Sequence, residues 1–214
     1  MDLIVPMKPP RSGKSRLRAA LGCPPGTGGH ADLVRALAAD TLRAATAAAG
    51  VRRVVVVATD PGALAELRDT GAEVIGECGA RDLNAALRVG ERFLRSADPG
   101  GVVGALQADL PALRPEELAA AVAEASGRRA FAADRHGTGT TLLLSAPGGP
   151  LDPRFGAGSA RAHTESGAAP LLLPAPSLRG DVDTPGDLEH ARLLGLGERT
   201  AAVLALREAS CAPR

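Results

Sequence analysis

The sequence predicts an α/β fold: one Rossmann-like domain on a mostly parallel sheet, spanning residues 1–214. Three observations carry that expectation. The run 53–58 holds four consecutive valines, and a continuous β-branched run suits a parallel strand covered on both faces. Apolar strand-like runs alternate with helix-like segments through the first half, the pattern of βαβ units. The chain of 214 residues is 45% hydrophobic, enough for one sizeable core, and no linker long enough to divide it interrupts the pattern.

In chain order, residues 3–5 read as a buried strand ending at Pro6, followed by a loop rich in proline, glycine and cations. Residues 31–49 read as a helix, with Val34, Leu37, Ala38 and Thr41 at helical spacing and Gly50 as the stop. After the valine strand, Asp60 is placed to cap a helix that Pro61 opens and Gly71 closes. A short strand is expected over 73–76, a helix over 82–96 and an apolar strand over 101–106. Pro115 opens another helix with Glu116 and Glu117 against its positive dipole end, and Gly127 ends it. Segments 130–133 and 140–144 pair as a hairpin around 135–139. A short helix over 158–166, a strand over 171–173, and helices over 185–194 and 199–208 complete the chain.

Composition excludes several classes. No run approaches the roughly 20 apolar residues of a membrane span, and the first residues enter a strand without a basic, signal-like region, so a cytoplasmic protein is expected. A net charge of +1 gives no global field for nucleic acid. Tyr and Trp are absent and only Phe93, Phe131 and Phe155 occur, leaving few platforms for stacked bases. Cys23, Cys78 and Cys211 have no metal or disulfide spacing. Of 25 basic residues only Lys8 and Lys14 are lysines, and both fall in one short loop.

Ligands of parallel α/β sheets bind beyond the carboxyl ends of the strands, which directs attention to four segments. The first, residues 8–15, ends in Gly-Lys-Ser, but a P-loop needs glycine where Lys8 stands, and Pro9 and Pro10 lack the N–H groups of a phosphate nest. It reads better as a cationic loop in which Lys8, Arg11, Lys14 and Arg16 face a triphosphate. The second follows the strand at 101–106 and carries Asp109, either a helix cap or a carboxylate for Mg²⁺. The third holds Asp181 and Asp183, two apart and therefore on one side of an extended segment. Capping by Asp183 or Thr184 accounts for one acid at most, so the three carboxylates suit one or two magnesium ions. The fourth joins 137–141 to 155–161, where glycines permit close backbone approach and Ser159 opens a helix whose free N–H groups attract anions. The alternative there is a β-turn and an ordinary serine cap. The histidines show no metal spacing, and none is assigned a catalytic role.

Six segments occur in one order: VPMKPPRSGKSRL (5–17), DLNAAL (82–87), LQADLPAL (106–113), GTGTTLL (137–143), FGAGSARAH (155–163) and GDVDTPGDL (180–188). Together they resemble the guanylyltransferases of coenzyme F-420 biosynthesis, which activate phosphoenolpyruvate or 2-phospho-L-lactate with GTP. ADLP and VDTP by themselves indicate only the wider nucleotide-diphospho-sugar transferase (GT-A type) fold; the first loop with GTGTT and FGAGSA is more specific. The resemblance implies that Asp109, Asp181 and Asp183 hold Mg²⁺ and form the catalytic centre. It implies further that Thr141, Gly156 and Ser159 contact the phosphorylated acid, and that Lys8, Arg11, Lys14 and Asn84 contact the nucleotide. The expected reaction joins GTP to a phosphorylated three-carbon acid and releases pyrophosphate. Phosphoenolpyruvate is the first acceptor to consider, with 2-phospho-L-lactate and a phosphoglycerate also open. A P-loop-type kinase and a non-catalytic nucleotide-binding module are the alternatives; Lys8 argues against the first, and three convergent acids would be surplus in the second.

Overall fold

The computed structural model describes residues 1–7, 17 and 29–211. Its centre is a seven-stranded sheet in the order β3-β2-β1-β4-β6-β5-β7. The strands are β1 (Asp2–Met7), β2 (Arg53–Ala58), β3 (Glu73–Gly76), β4 (Val103–Leu106), β5 (Ala130–Ala133), β6 (Thr140–Leu144) and β7 (Ala169–Pro170). The helices are α1 (Gly29–Ala47), α2 (Leu83–Ala97), α3 (Pro115–Ala125), α4 (Ser159–Glu165), α5 (Pro185–Leu194) and α6 (Glu198–Cys211), with a 3₁₀ helix at Gly62–Thr70. Strands β1 to β4 are mutually parallel, whereas β6 runs antiparallel to both β4 and β5. Among the described residues no helix is long and apolar enough to cross a membrane.

Alternation along the strands explains why both faces are covered. Leu3, Val5, Val54 and Val56 join Leu42 of α1 and Leu118 of α3 on one face. Ile4, Val55 and Val57 pack with Leu87 and Leu94 of α2 on the other. Helix α2 comes very close there: a Cβ on Gly90 would lie 2.7 Å from Ile4 Cγ2 and 3.0 Å from Val57 Cγ2, so glycine sets the depth of docking. A third apolar group, including Leu17, Leu33, Val182, Leu188 and Leu204, ties α1 to α5 and α6. The buried Asp40 of α1 completes that junction, accepting the Arg199 and Thr200 N–H groups at the start of α6.

Several boundaries differ from expectation for local reasons. Strand β1 runs through Pro6 to Met7 because β4 pairs with it only as far as Ile4, and beyond that point β1 is locally an edge, where proline is tolerated. Asp60 accepts the Gly62 and Ala63 N–H groups as foreseen, but the following segment is a 3₁₀ helix kinked at Leu64. The last strand stops at Pro170 instead of spanning 171–173. Beyond it the Leu172 and Leu173 N–H groups turn to the Glu124 carboxylate, at 2.7 and 2.9 Å, and leave the sheet.

Candidate active site

Strand order places the site. The chain goes outward from β1 through β2 to β3 and then returns to the other side of β1 as β4, so a crevice opens beyond the carboxyl ends of β1 and β4. Because β6 is antiparallel, its first residues, Thr140 and Thr141, lie at that same edge. The Gln107 N–H donates to the Thr141 carbonyl at 2.9 Å, joining the exit of β4 to the entry of β6. Two residues further on, the Asp109 carbonyl accepts the Val182 N–H at 3.0 Å, bringing the segment around Gly180 onto the same edge.

Val182 is fully buried in the third apolar group, so it anchors its segment while Asp181 and Asp183 both fall on the opposite side. Capping is accounted for elsewhere: Thr184 caps α5, and Asp187 completes the capping box by accepting the Thr184 N–H at 2.8 Å. Neither Asp181 nor Asp183 caps the helix. Burial, then the charges of Asp109, Asp183 and Asp134, raise the Asp181 carboxyl to about 7. The charges of Asp109 and Asp183 therefore both reach Asp181, and that of a fourth acid, Asp134, does too. Among the described residues, however, no three acidic, imidazole or thiol side chains stand as a group that could hold a metal ion.

Asp134 and Arg135, missed in the sequence, hold the hairpin loop over this group. The Asp134 carboxylate accepts the Thr138 N–H at 2.9 Å, and a Cβ on Gly139 would fall 2.5 Å from its Oδ2. Arg135 pairs with Asp187 and donates its backbone N–H to the Arg179 carbonyl at 2.8 Å. Arg179 in turn gives its guanidinium to the Ala133 and Leu171 carbonyls. Burial opposes ionisation of Asp187, yet the hydrogen bonds from Arg135 and Thr184 hold its carboxyl down to about 2. A scattered arginine carries no sequence signal for such a clamp.

The fourth segment forms a second polar group. A bulge in β6 opposite Ala132 and Ala133 turns Thr140 and Thr141 to different surroundings. The buried Thr141 hydroxyl lies 3.4 Å from the Ala132 carbonyl, while Thr140 Oγ1 lies 3.2 Å from Ser159 Oγ. Ser159 is the first residue of α4, not its cap; Gly158, at φ 71, is the cap. At that helix start the Ser159 N–H donates to the Gly156 carbonyl and the Ala160 N–H to the Thr138 carbonyl, each at 3.1 Å. What Ser159 offers is its hydroxyl. Gly156, at φ 142 with open space beside it, needs glycine for its backbone conformation.

His163, given no role from the sequence, organises this group. Its Nε2 accepts the Arg154 backbone N–H at 3.0 Å, so Nδ1 carries the proton and donates to Thr140 Oγ1 at 2.9 Å. In whichever sense the Thr140–Ser159 bond runs, one hydroxyl proton of that pair is left for a ligand. Burial, then Arg129, lower the His163 pKa to about 4, which keeps the ring neutral. Its spacing from Ser159, four positions along one short helix, was the available signal.

Asn84, expected to contact the nucleotide, is hydrogen-bonded to the backbone of Phe155. Its Nδ2 donates to the Phe155 carbonyl at 3.0 Å and its Oδ1 accepts the Phe155 N–H at 2.8 Å. These two bonds fix the backbone of the residue preceding Gly156. Lys8, Arg11 and Lys14 lie outside the described residues.

Comparison with known proteins agrees with this geometry. Among solved structures, a protein described as a nucleotide-diphospho-sugar transferase from Desulfovibrio desulfuricans G20 superposes with a TM-score of 0.71 at 18% identity, covering 97% of this chain and 95% of that one. A 4-diphosphocytidyl-2C-methyl-D-erythritol synthase superposes with a TM-score of 0.60 at 16% identity over 90% of this chain and 96% of its own. These establish the fold, which is not that of a P-loop kinase. A phosphoenolpyruvate guanylyltransferase of Streptomyces scabiei is 51% identical over 211 residues, 95% of each chain. Another, from Thermomonospora curvata, is 46% identical over 206 residues, 95% of this chain and 88% of the relative. The model of the family "Guanylyl transferase CofC like" matches residues 1–205, and the chain accordingly belongs to the CofC-like guanylyl transferases.

Proposed function

We propose that this protein transfers the guanylyl group of GTP to phosphoenolpyruvate, releasing pyrophosphate, as a step of coenzyme F-420 biosynthesis in the cytoplasm. The observation that carries the reading is the family match over residues 1–205. The names of relatives 46% to 51% identical support phosphoenolpyruvate as the acceptor over 2-phospho-L-lactate.

A phosphate oxygen of the acceptor attacks the α-phosphorus of GTP, and the bond from that phosphorus to the bridging oxygen of the leaving pyrophosphate breaks. A phosphate monoester has a second pKa of about 6, so the nucleophile is already ionised at neutral pH and needs no general base. That suits a site whose buried histidine is held neutral and spent on the Thr140 hydroxyl and the Arg154 backbone N–H. The difficulty is repulsion between two polyanions: two unit charges at roughly 4 Å repel by about 4 kcal/mol at an effective dielectric of about 20.

Asp109, Asp181 and Asp183 are the residues that would hold magnesium. Their donors are hard oxygens, and the charges of Asp109, Asp183 and Asp134 all bear on the buried Asp181 carboxyl, a setting that a cation would relieve. The described acids do not by themselves form a group that could hold a metal ion, so magnesium would have to keep waters of its own and take further oxygens from the phosphates. When bound, Mg²⁺ neutralises charge on the triphosphate and the leaving group. Ser159 and Thr140 supply the free hydroxyl proton to the phosphorylated acid, and Gly156 lets it approach the backbone. Lys8, Arg11 and Lys14 remain the proposed triphosphate contacts.

Pyrophosphate release tests the reading, measured with GTP or ATP, with phosphoenolpyruvate, 2-phospho-L-lactate or 3-phosphoglycerate, and with magnesium or EDTA. Release is expected with GTP, phosphoenolpyruvate and magnesium together. Turnover undiminished by EDTA refutes the metal, an ATP preference refutes guanylyl transfer, and a 2-phospho-L-lactate preference changes the acceptor.

A further inference from the structure

We infer that the cavity beyond β1, β2 and β3 is the guanine pocket, and that Glu77 selects the base. The cavity opens at the carboxyl ends of these strands and the start of α2, walled by Met7, Val57, Ala80, Leu83 and Ala86, with Glu77 and Arg81 also lining it. Its walls are aliphatic and thioether groups, which pack flat against a purine without an aromatic platform; the soft sulfur of Met7 is well suited to a ring face. The identity of the base rests on the guanylyl-transfer reading, but the pocket itself rests on the geometry.

Glu77 is held in place by its backbone. Its N–H continues the β2–β3 ladder to the Ala58 carbonyl at 3.0 Å, and its carbonyl accepts the Ala80 N–H at 3.0 Å. Between them, Cys78 and Gly79 take φ values of 49° and 77°, the two left-handed residues of a tight reversal. Cys78 is not glycine, so the turn carries local strain, of the kind retained where a neighbouring group must be aimed. Among the described residues nothing donates a hydrogen bond or an ion pair to the half-buried Glu77 carboxylate, whereas the next acid, Asp82, is occupied as the cap of α2.

The chemistry of a purine edge then decides which base fits. Guanine presents two adjacent donors, N1–H and the 2-amino group, which match the two oxygens of one carboxylate. Adenine presents an acceptor at N1, which a carboxylate repels. Hypoxanthine keeps N1–H and lacks the amino group, and xanthine replaces the amino group with a carbonyl. Glu77→Gln keeps the size of the side chain but turns one oxygen into a donor, opposing the guanine amino group and matching the xanthine carbonyl.

Calorimetric titration of wild type and Glu77→Gln with GTP, ITP and XTP, with magnesium and without acceptor, tests the assignment independently of the acceptor reaction. Wild type is expected to bind GTP more tightly than ITP, and ITP more tightly than XTP. In Glu77→Gln, GTP affinity is expected to fall on the order of 100-fold and XTP to become the better ligand. The variant's melting temperature, expected to match wild type, separates misfolding from lost recognition. Equal GTP affinity in the two folded proteins, or no wild-type preference for GTP over ITP and XTP, overturns the assignment. Selective GTP binding without turnover on phosphoenolpyruvate would refute the proposed reaction and leave the pocket standing.

Discussion

Replacing His163 by Leu removes one buried and one part-buried hydrogen bond at similar volume. Thr140 loses the Nδ1–H donor at 2.9 Å, and the Arg154 N–H loses its acceptor at 3.0 Å. An unsatisfied buried polar group costs about 1–3 kcal/mol, and Arg154, being exposed, can turn its N–H to water, so the net loss at pH 7 is that of the Thr140 contact, about 1–3 kcal/mol. For a chain of this length that lowers the melting temperature by roughly 5–10 °C. The Thr140–Ser159 pair also loses its orientation, so KM for the phosphorylated acid should rise about 10-fold while KM for GTP holds.

Acid provides an independent readout of the same ring. Its folded pKa is lowered from 6.5 to about 4, so between those values the unfolded chain binds the proton that the folded protein refuses. Wild type therefore loses stability as pH falls through this window. The gap corresponds to about 3 kcal/mol, lowered to about 2 kcal/mol by screening. The Leu variant lacks this loss, so its deficit should shrink between pH 7 and pH 4.5. Melting curves at both pH values and steady-state kinetics with each substrate varied are the measurements. A deficit that stays constant with pH, or KM values that rise equally for both substrates, would refute the relay.

Three further outcomes are expected. Asp181→Asn should leave metal-free stability unchanged near pH 4 and raise it at pH 8. The carboxyl raised to about 7 makes the wild type lose stability as pH rises from about 4 to about 7, by about 4 kcal/mol before screening and about 2 kcal/mol after; a lower melting temperature in EDTA at pH 8 would contradict this. Asp109→Asn and Asp183→Asn should each lower turnover by at least about 100-fold, and since Asn caps a helix about as well as Asp, near-normal rates would return these residues to a structural role. Gly90→Ala should destabilise by about 1–2 kcal/mol in urea despite its better helix propensity, because the added methyl meets Ile4 at 2.7 Å; unchanged stability would mean that α2 can lift without cost.

The amino-acid sequence by itself determined the parallel half of the sheet, the hairpin at 130–133 and 140–144, and the positions of Asp109, Asp181 and Asp183 at one edge. These are legible because valine runs, alternating periodicity and turn residues act locally, and because strand ends in such a sheet converge by topology. The sequence left open which of Asp183 and Thr184 caps α5; the burial of Val182 and the Thr184–Asp187 box decided it. Asn84, read as a nucleotide contact, stands against Phe155, 71 residues away, and Ser159, read as a contact of the phosphorylated acid at a helix start, stands against Thr140. Asp134, Arg135 and Glu77 carried no signal and His163 only its spacing from Ser159, because a side chain's partner across 20 to 70 positions depends on strand order and on a single bulge. Periodicity records which face a residue occupies, but only the packed tertiary structure decides what it meets there.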